Sequence, residues 1–238
     1  MSILFGKNPI LEALKANRRK IHEIYLIEDA EIASLANRQK IPLKNIDKNK
    51  LDSLTEGAIH QGVAAKVEGF PYSSLDEVLS KFSTSCFLLV CDSIQDPQNL
   101  GAICRSAYCL GVDALILNRD QSAEITATVS KASAGAVEHL SVVKVTNLAR
   151  TLEELKEKGF WSYAADVEGK TSLDQISPSP KMAVVIGNEG KGIRRLVLES
   201  CDVRFSIPMT RSFNSLNAAQ AATVICYEIS KKRTLAPK

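Results

Sequence analysis

A chain of 238 residues, 45% hydrophobic and 24% charged, is long enough to bury one or two cores and lacks the low-hydrophobicity signature of disorder. Its net charge of +3, from 30 Lys and Arg against 27 Asp and Glu, is too small to argue for a polyanionic partner by itself, so the local grouping of cations carries that question. The N-terminal stretch MSILFGKNPILEALKANRRK has no charged segment leading into an apolar core and cleavage site, and the longest apolar run, Cys86 to Cys91, is far short of a membrane span; a cytoplasmic protein without a membrane partner is expected.

From Gly6 to Asn17, Ile10, Leu11 and Leu14 recur at helical spacing, and HEIYLI, His22 to Ile27, follows as a strand. Ala30 to Arg38 predicts a second helix, Ile41 to Ile46 an extended segment and GVAAKVEG, Gly62 to Gly69, a closing strand, so residues 1–68 make a small α/β domain. EGFPYSS, with Gly69, Pro71 and paired serines, marks a linker over 69–74. Over 75–238 the pattern alternates: a helix near Ser74 to Lys81, strand Cys86 to Cys91, helix Asn99 to Leu110, strand Asp113 to Leu117, exposed helix Thr151 to Gly159 and strand Met182 to Ile186. Such alternation predicts a mostly parallel sheet covered on both faces. Cations gather at Lys15–Arg18–Arg19–Lys20, Lys44–Lys48–Lys50, Lys191–Arg194–Arg195 and Lys231–Lys232–Arg233. The six cysteines form no CxxC pair and the three histidines, His22, His60 and His139, are scattered, so the expectation is no metal and reduced, mostly buried thiols.

In a parallel sheet, function belongs to the loops after the carboxyl ends of strands, and three stand out. In CDSIQDPQNLGAICR a buried strand ends at Asp92, Pro97 sets a turn and a helix begins near Asn99, whose side chain holds the turn or a ligand. Gly101 and Arg105, four apart, share a helical face; taken alone, this loop reads as a cap and a surface ion pair. MAVVIGNEGKGIRR runs a short strand into Gly187, Gly190 and Gly192, which permit close backbone approach, but the spacing is neither a dinucleotide nor a P-loop signature. In SIPMTRSFNSLNAAQAATVICYEIS, Ser215 suits a helix N-cap and Asn217 its first turn, while Ala218, Ala219, Ala221 and Ala222 form a face that packs in a core or against another subunit.

In this order the loops resemble the three motifs of the SpoU branch of the SPOUT methyltransferases, which methylate the ribose 2′-hydroxyl of RNA with S-adenosylmethionine. Asn99, Gly101 and Arg105 match the first motif, Gly187, Asn188, Glu189, Gly190 and Gly192 the second, and Ile207, Pro208, Met209, Ser215, Leu216 and Asn217 the third. The similarity spans about residues 86–230, and the segment opening FGKNPILEAL resembles the small ribosomal-protein-like RNA-binding module that precedes this catalytic domain in ribosomal RNA members. Arg211, where the family usually has glycine, and Ala218 and Ala219, where valine and serine are frequent, depart from the pattern.

The resemblance implies a SPOUT-type parallel sheet ending in a trefoil knot, a homodimer, and a donor, S-adenosyl-L-methionine, held by Gly187, Asn188, Ile207, Met209 and Leu216. It implies that Arg105 acts on the ribose hydroxyl, either as a base or as a cation stabilising oxyanion and phosphate, with Glu189, Asn99, Ser215 and Asn217 orienting it. The substrate it favours is ribosomal RNA, a large-subunit guanosine above all. The alternatives are a transfer RNA 2′-O-methyltransferase of the same family and a non-catalytic RNA-binding ribosome-assembly protein.

Overall fold

The chain folds into two units, Met1–Pro71 with Glu124–His139, and Tyr72–Ala123 with Leu140–Lys238. The computed structural model describes residues 1–188, 190–211 and 215–235.

The first unit runs β1 (Ser2–Phe5), α1 (Lys7–Ala16), β2 (Ile21–Leu26), α2 (Ala30–Arg38), β3 (Leu43–Asn45), α3 (Lys48–Leu54) and β4 (Val63–Val67). Its sheet has the order β1-β4-β2-β3, with only the β2–β3 pair parallel. Alternation along the strands turns Ile24, Leu26, Val63, Ala65 and Val67 to one core, where the helical stripe Ile10–Leu14 of α1 and Ile32–Ala36 of α2 covers them. Asp29 starts α2 by accepting the amides of Glu31 and Ile32, and Asn17, at φ 47°, ends α1. The sequence located the helices and strands here apart from β1 and α3, which are too short to show a period.

This unit is completed from elsewhere in the chain. Glu124–His139 supplies α6 (Ala127–Ala132) and a three-ten turn (Ala136–His139). Gly135, at φ +85°, sits so close to α1 that a Cβ would lie 2.7 Å from that of Glu12 and 2.9 Å from the Asn8 carbonyl oxygen, so only glycine fits. Beside it the buried Arg19 guanidinium pairs with the buried Glu138 carboxylate and donates to Ser130 Oγ at 3.3 Å. His139 Nε2 meets Glu12 Oε2 at 2.7 Å.

The second unit runs α4 (Leu75–Lys81), β5 (Cys86–Asp92), α5 (Pro97–Cys109) and β6 (Ala114–Asn118). It resumes after residue 139 with β7 (Ser141–Val145), α7 (Leu148–Glu157), β8 (Trp161–Ala165), β9 (Thr171–Ser172), β10 (Lys181–Gly187), α8 (Arg195–Glu199), β11 (Val203–Ser206) and α9 (Ala218–Leu235). The sheet is parallel throughout, in the order β7-β6-β5-β10-β8-β11-β9. Central β5 is buried along its whole length, which explains the unbroken run CFLLVC: a strand covered on both faces has no polar side. One face packs Leu88, Val90, Ala183 and Val185 against Leu148, Leu152, Leu155 and Phe160.

Helices α5 and α9 lie together, with Ser106 Oγ 2.6 Å from Thr223 Oγ1 and Ser230 Oγ bonded to the Leu110 carbonyl. Ala218, Ala219, Ala222 and Cys226 are buried, so the small residues do serve close packing. Lys232 holds the carbonyls of Leu173, Asp174 and Ile176 at 2.7–3.1 Å, and Arg233 those of Ser179 and Pro180. Cys86, Cys91, Cys104 and Cys226 are buried free thiols, and burial pushes Cys104 and Cys226 up to about 12. Among the described residues no helix is long and apolar enough to cross a membrane, and no group of three His, Cys, Asp or Glu is placed to hold a metal ion.

Candidate functional site

At the carboxyl ends of β8, β10 and β11 the second unit opens a cavity of about 650 Å³. Its walls are the turn after β8 (Ala165 to Glu168), the glycine-rich turn after β10, the strand end and loop from Phe205 to Met209, and the start of α9. A volume of this size, bounded by apolar side chains and exposed backbone, suits a small organic molecule. Gly187, Asn188, Ile207, Met209, Ser215 and Leu216, drawn from two loops by the sequence, all line it.

The glycine-rich turn closes on itself. Asn188 and Gly192 exchange backbone hydrogen bonds of 3.2 and 2.8 Å, and Asn188 Oδ1 accepts the Gly190 amide at 2.9 Å. A Cβ on Gly187 would lie 2.2 Å from the Gly192 carbonyl carbon, so the residue is fixed by contact rather than by φ. Gly192, at φ +64°, supplies the left-handed turn. Opposite, Gly169 is equally constrained: its Cβ would stand 2.4 Å from the Phe205 carbonyl carbon. The first contact holds the turn shut at the cavity, and the second holds the chain after β8 against β11.

Two helix starts meet at this end of the sheet. Asn217 Nδ2 donates to Asn99 Oδ1 at 3.0 Å, joining the first and third loops. The structure corrects both expected caps. Asp96, not Asn99, caps α5, accepting the amides of Gln98 and Asn99, which releases the Asn99 side chain for Asn217. Asn217, not Ser215, caps α9: its carbonyl accepts from Ala221 and its Oδ1 from Ala219 at 2.9 Å, leaving Ser215 at the cavity wall. Arg105 projects from α5 as an exposed residue with no hydrogen-bonding or ionic partner among the described residues, so the surface ion pair is not formed. Arg211 is exposed, and Glu189 lies outside the described residues.

Sequence reasoning did not single out Asp92 and Arg194 as partners. Asp92 is fully buried at the end of β5, and Arg194 reaches it with its backbone amide (2.8 Å to Oδ2) and Nε (2.7 Å to Oδ1). The available signal was a carboxylate closing an apolar strand, which needs a cationic partner.

Two family descriptions match the chain: "SpoU rRNA Methylase family" over residues 86–227 and "RNA 2′-O ribose methyltransferase substrate binding" over residues 3–73. YacO of Bacillus subtilis, named for the TrmH family of tRNA/rRNA methyltransferases, is 38% identical over 97% of this chain and 95% of its own length. The fold is that of the SpoU methyltransferase AviRb from Streptomyces viridochromogenes, solved with the cofactor AdoMet, at TM-score 0.86 and 24% identity, covering 99% of this chain and 91% of that one. The A. aeolicus TrmH/SpoU tRNA modifying enzyme is similar at TM-score 0.58 and 25% identity, covering 66% of this chain and 80% of that one.

Proposed function

The chain belongs to the SpoU family of RNA methylases, and we propose that it methylates the ribose 2′-hydroxyl of a nucleotide in ribosomal RNA, a large-subunit guanosine by preference, with S-adenosylmethionine as donor. The observation that carries the reading is that the second and third loops line one cavity, while the Asn99–Asn217 bond ties the helix that bears Arg105 to the start of α9 beside it.

The cavity fits the donor on its own geometry. Ile207, Met209 and Leu216 offer apolar contact beside the turn of Asn188, which the close approach of Gly187 to Gly192 holds shut. When bound, S-adenosylmethionine supplies an electrophilic methyl group on a sulfonium. Arg105 then serves the acceptor. A solvated guanidinium stays charged, so exposure favours the cation over the base: Arg105 holds a phosphate beside the target ribose and stabilises negative charge developing on its O2′. Asn99, Asn217, Ser215 and Glu189 orient that ribose and the arginine, and the hydroxyl proton leaves to water. Much of the rate comes from alignment of an oxygen with the methyl group.

Ribosomal RNA is favoured over transfer RNA by the additional unit. The tRNA-modifying neighbour covers only 66% of this chain, and the matched substrate-binding segment accounts for residues 3–73 beside a match to the SpoU rRNA Methylase family. The basic residues of that unit supply phosphate contacts, positioning the RNA without reading its sequence. We read the passage of α9 along α5 as the last pass of a trefoil knot, and exposed Tyr108, Val224 and Tyr227 as the face on which a second copy forms a homodimer.

The test is methyl transfer from labelled S-adenosylmethionine to unmodified ribosomal RNA and transfer RNA offered separately. Label in ribosomal RNA alone is expected. Label confined to transfer RNA would overturn the substrate assignment, and no donor binding would overturn the enzymatic reading.

A further inference from the structure

We propose that Asp92 and Arg194 form a latch that sets the glycine-rich turn against the start of α5, and so aligns the methyl donor with the acceptor hydroxyl. This rests on the methyl-transfer reading above. It concerns positioning residues rather than groups that touch substrate.

Asp92 is fully buried, and a buried carboxylate is tolerated only with charge and hydrogen bonds around it. The charge and two of the hydrogen bonds come from one residue 102 positions away. Arg194 engages one carboxylate oxygen through its backbone amide and the other through Nε, which fixes both the position and the rotation of the turn's exit. A second crossing lies alongside: Asn188 Nδ2 donates to the Ser93 carbonyl at 3.2 Å. Ser93 is held at φ +63°, a left-handed conformation uncommon for a residue with a side chain, while its Oγ donates to Asp92 Oδ1 at 3.0 Å. Arg194 Nη1 reaches Gln121 Oε1 at 3.4 Å, so the loop after β6 joins the same cluster.

The consequence is a closed circuit. The turn after β5 leads through Asp96 into α5 with Asn99 and Arg105, Asn99 holds Asn217 between cavity-lining Leu216 and Ala218, and the cavity's other wall, with Gly187, Asn188 and Gly192, returns to Asp92 through Arg194. The glycine-rich turn has its own internal bonds, Asn188 to Gly192 and Gly190, which do not depend on Arg194. Removing the latch should leave donor binding in place while letting the two walls slip relative to each other. A slip of an ångström at reacting atoms costs about a hundredfold in rate.

The test compares full-length Arg194→Ala, Arg194→Lys and Asp92→Asn with the parent. In Arg194→Ala the backbone amide still donates to Asp92 and in Arg194→Lys a cation remains, so these variants are expected to fold, at reduced stability, even if Asp92→Asn does not. For Arg194→Ala, kcat should fall about a hundredfold. S-adenosylmethionine Kd by calorimetry and RNA KM should stay within about threefold. Arg194→Lys should recover about tenfold of the loss by restoring a cation to Asp92. Apart from activity, amide exchange in the 93–96 turn and at residue 194 should accelerate together, while Gly190 and Gly192 stay protected by the turn's own bonds. An unchanged kcat, or exchange rising on one side only, would overturn the latch. So would a raised RNA KM with a shallower salt dependence, which would make Arg194 a phosphate contact. A parent that binds donor but methylates no ribose would instead overturn the functional reading, with exchange still deciding the latch.

Discussion

Asn217 donates through Nδ2 to Asn99 Oδ1 at 3.0 Å and accepts the Ala219 amide through its own Oδ1, so one amide both caps α9 and fastens it to α5. The two residues therefore differ in what their loss does. Asn217→Ala should cost about 1 kcal/mol of stability as a lost cap. It should also cost at least about tenfold in turnover. Asn99→Ala should match the loss of turnover with little loss of stability, because Asp96 still caps α5. Urea unfolding and single-turnover methylation separate the two outcomes.

Gly187→Ala should abolish donor binding more completely than it destabilises the fold. The added methyl group would meet the Gly192 carbonyl carbon at 2.2 Å, so the turn must open and take the cavity wall with it. Calorimetry should show S-adenosylmethionine affinity reduced by more than about a hundredfold, roughly 2.7 kcal/mol.

Arg105→Ala should lower turnover by at least about a hundredfold while leaving the melting temperature unchanged. The side chain is exposed and has no described partner to lose, so stability does not depend on it. Near-normal turnover would remove Arg105 from the chemistry.

Much of the site was legible because its residues are constrained locally. Gly187, Gly190 and Gly192 fall in one short stretch after an apolar strand, Ser215 and Asn217 open a helix, and the resemblance to the family's motifs adds Ile207 and Leu216. The assignment of caps failed because Ser215 and Asn217, like Asp96 and Asn99, are all good capping residues a few positions apart, and the tertiary bond between Asn99 and Asn217 decides between them. Asp92 and Arg194 were beyond reach for a different reason: no period links residues 102 apart, and only the adjacency of β5 and β10 in the sheet brings them together. Likewise α6, at six residues, is too short to show a period, and nothing local says that it packs against α1 instead of its sequence neighbours.

The Arg19–Glu138 pair should be a large local contributor to the first unit. Both side chains are buried, so Arg19→Ala or Glu138→Ala alone strands a charge and should destabilise by about 3–5 kcal/mol. Replacing both should cost clearly less than the sum, which a double-mutant cycle in urea measures.

Acid should weaken the second unit through Asp202. Burial works against its ionised form, but the Ser162 amide and hydroxyl, at 2.8 and 2.7 Å, and the Lys156 ammonium outweigh it and hold the carboxyl below its ordinary value. A carboxyl lowered by folding contributes stability above its unfolded pKa of about 3.9 and loses it as pH falls through the folded value. Asp202→Asn should therefore be less stable than the parent at pH 7, with the gap closing as pH falls through the folded value.

Transfer of the methyl group to ribose oxygen, rather than to a base, can be read directly from the RNA product. The most direct measurement is to treat ribosomal RNA with the protein and S-adenosylmethionine, hydrolyse it in alkali and analyse the products by mass spectrometry. A 2′-O-methyl group blocks cleavage at its own linkage, so the account predicts that the label survives in an alkali-resistant dinucleotide and disappears with Arg105→Ala. Label recovered in mononucleotides, as base methylation would leave it, would contradict the account.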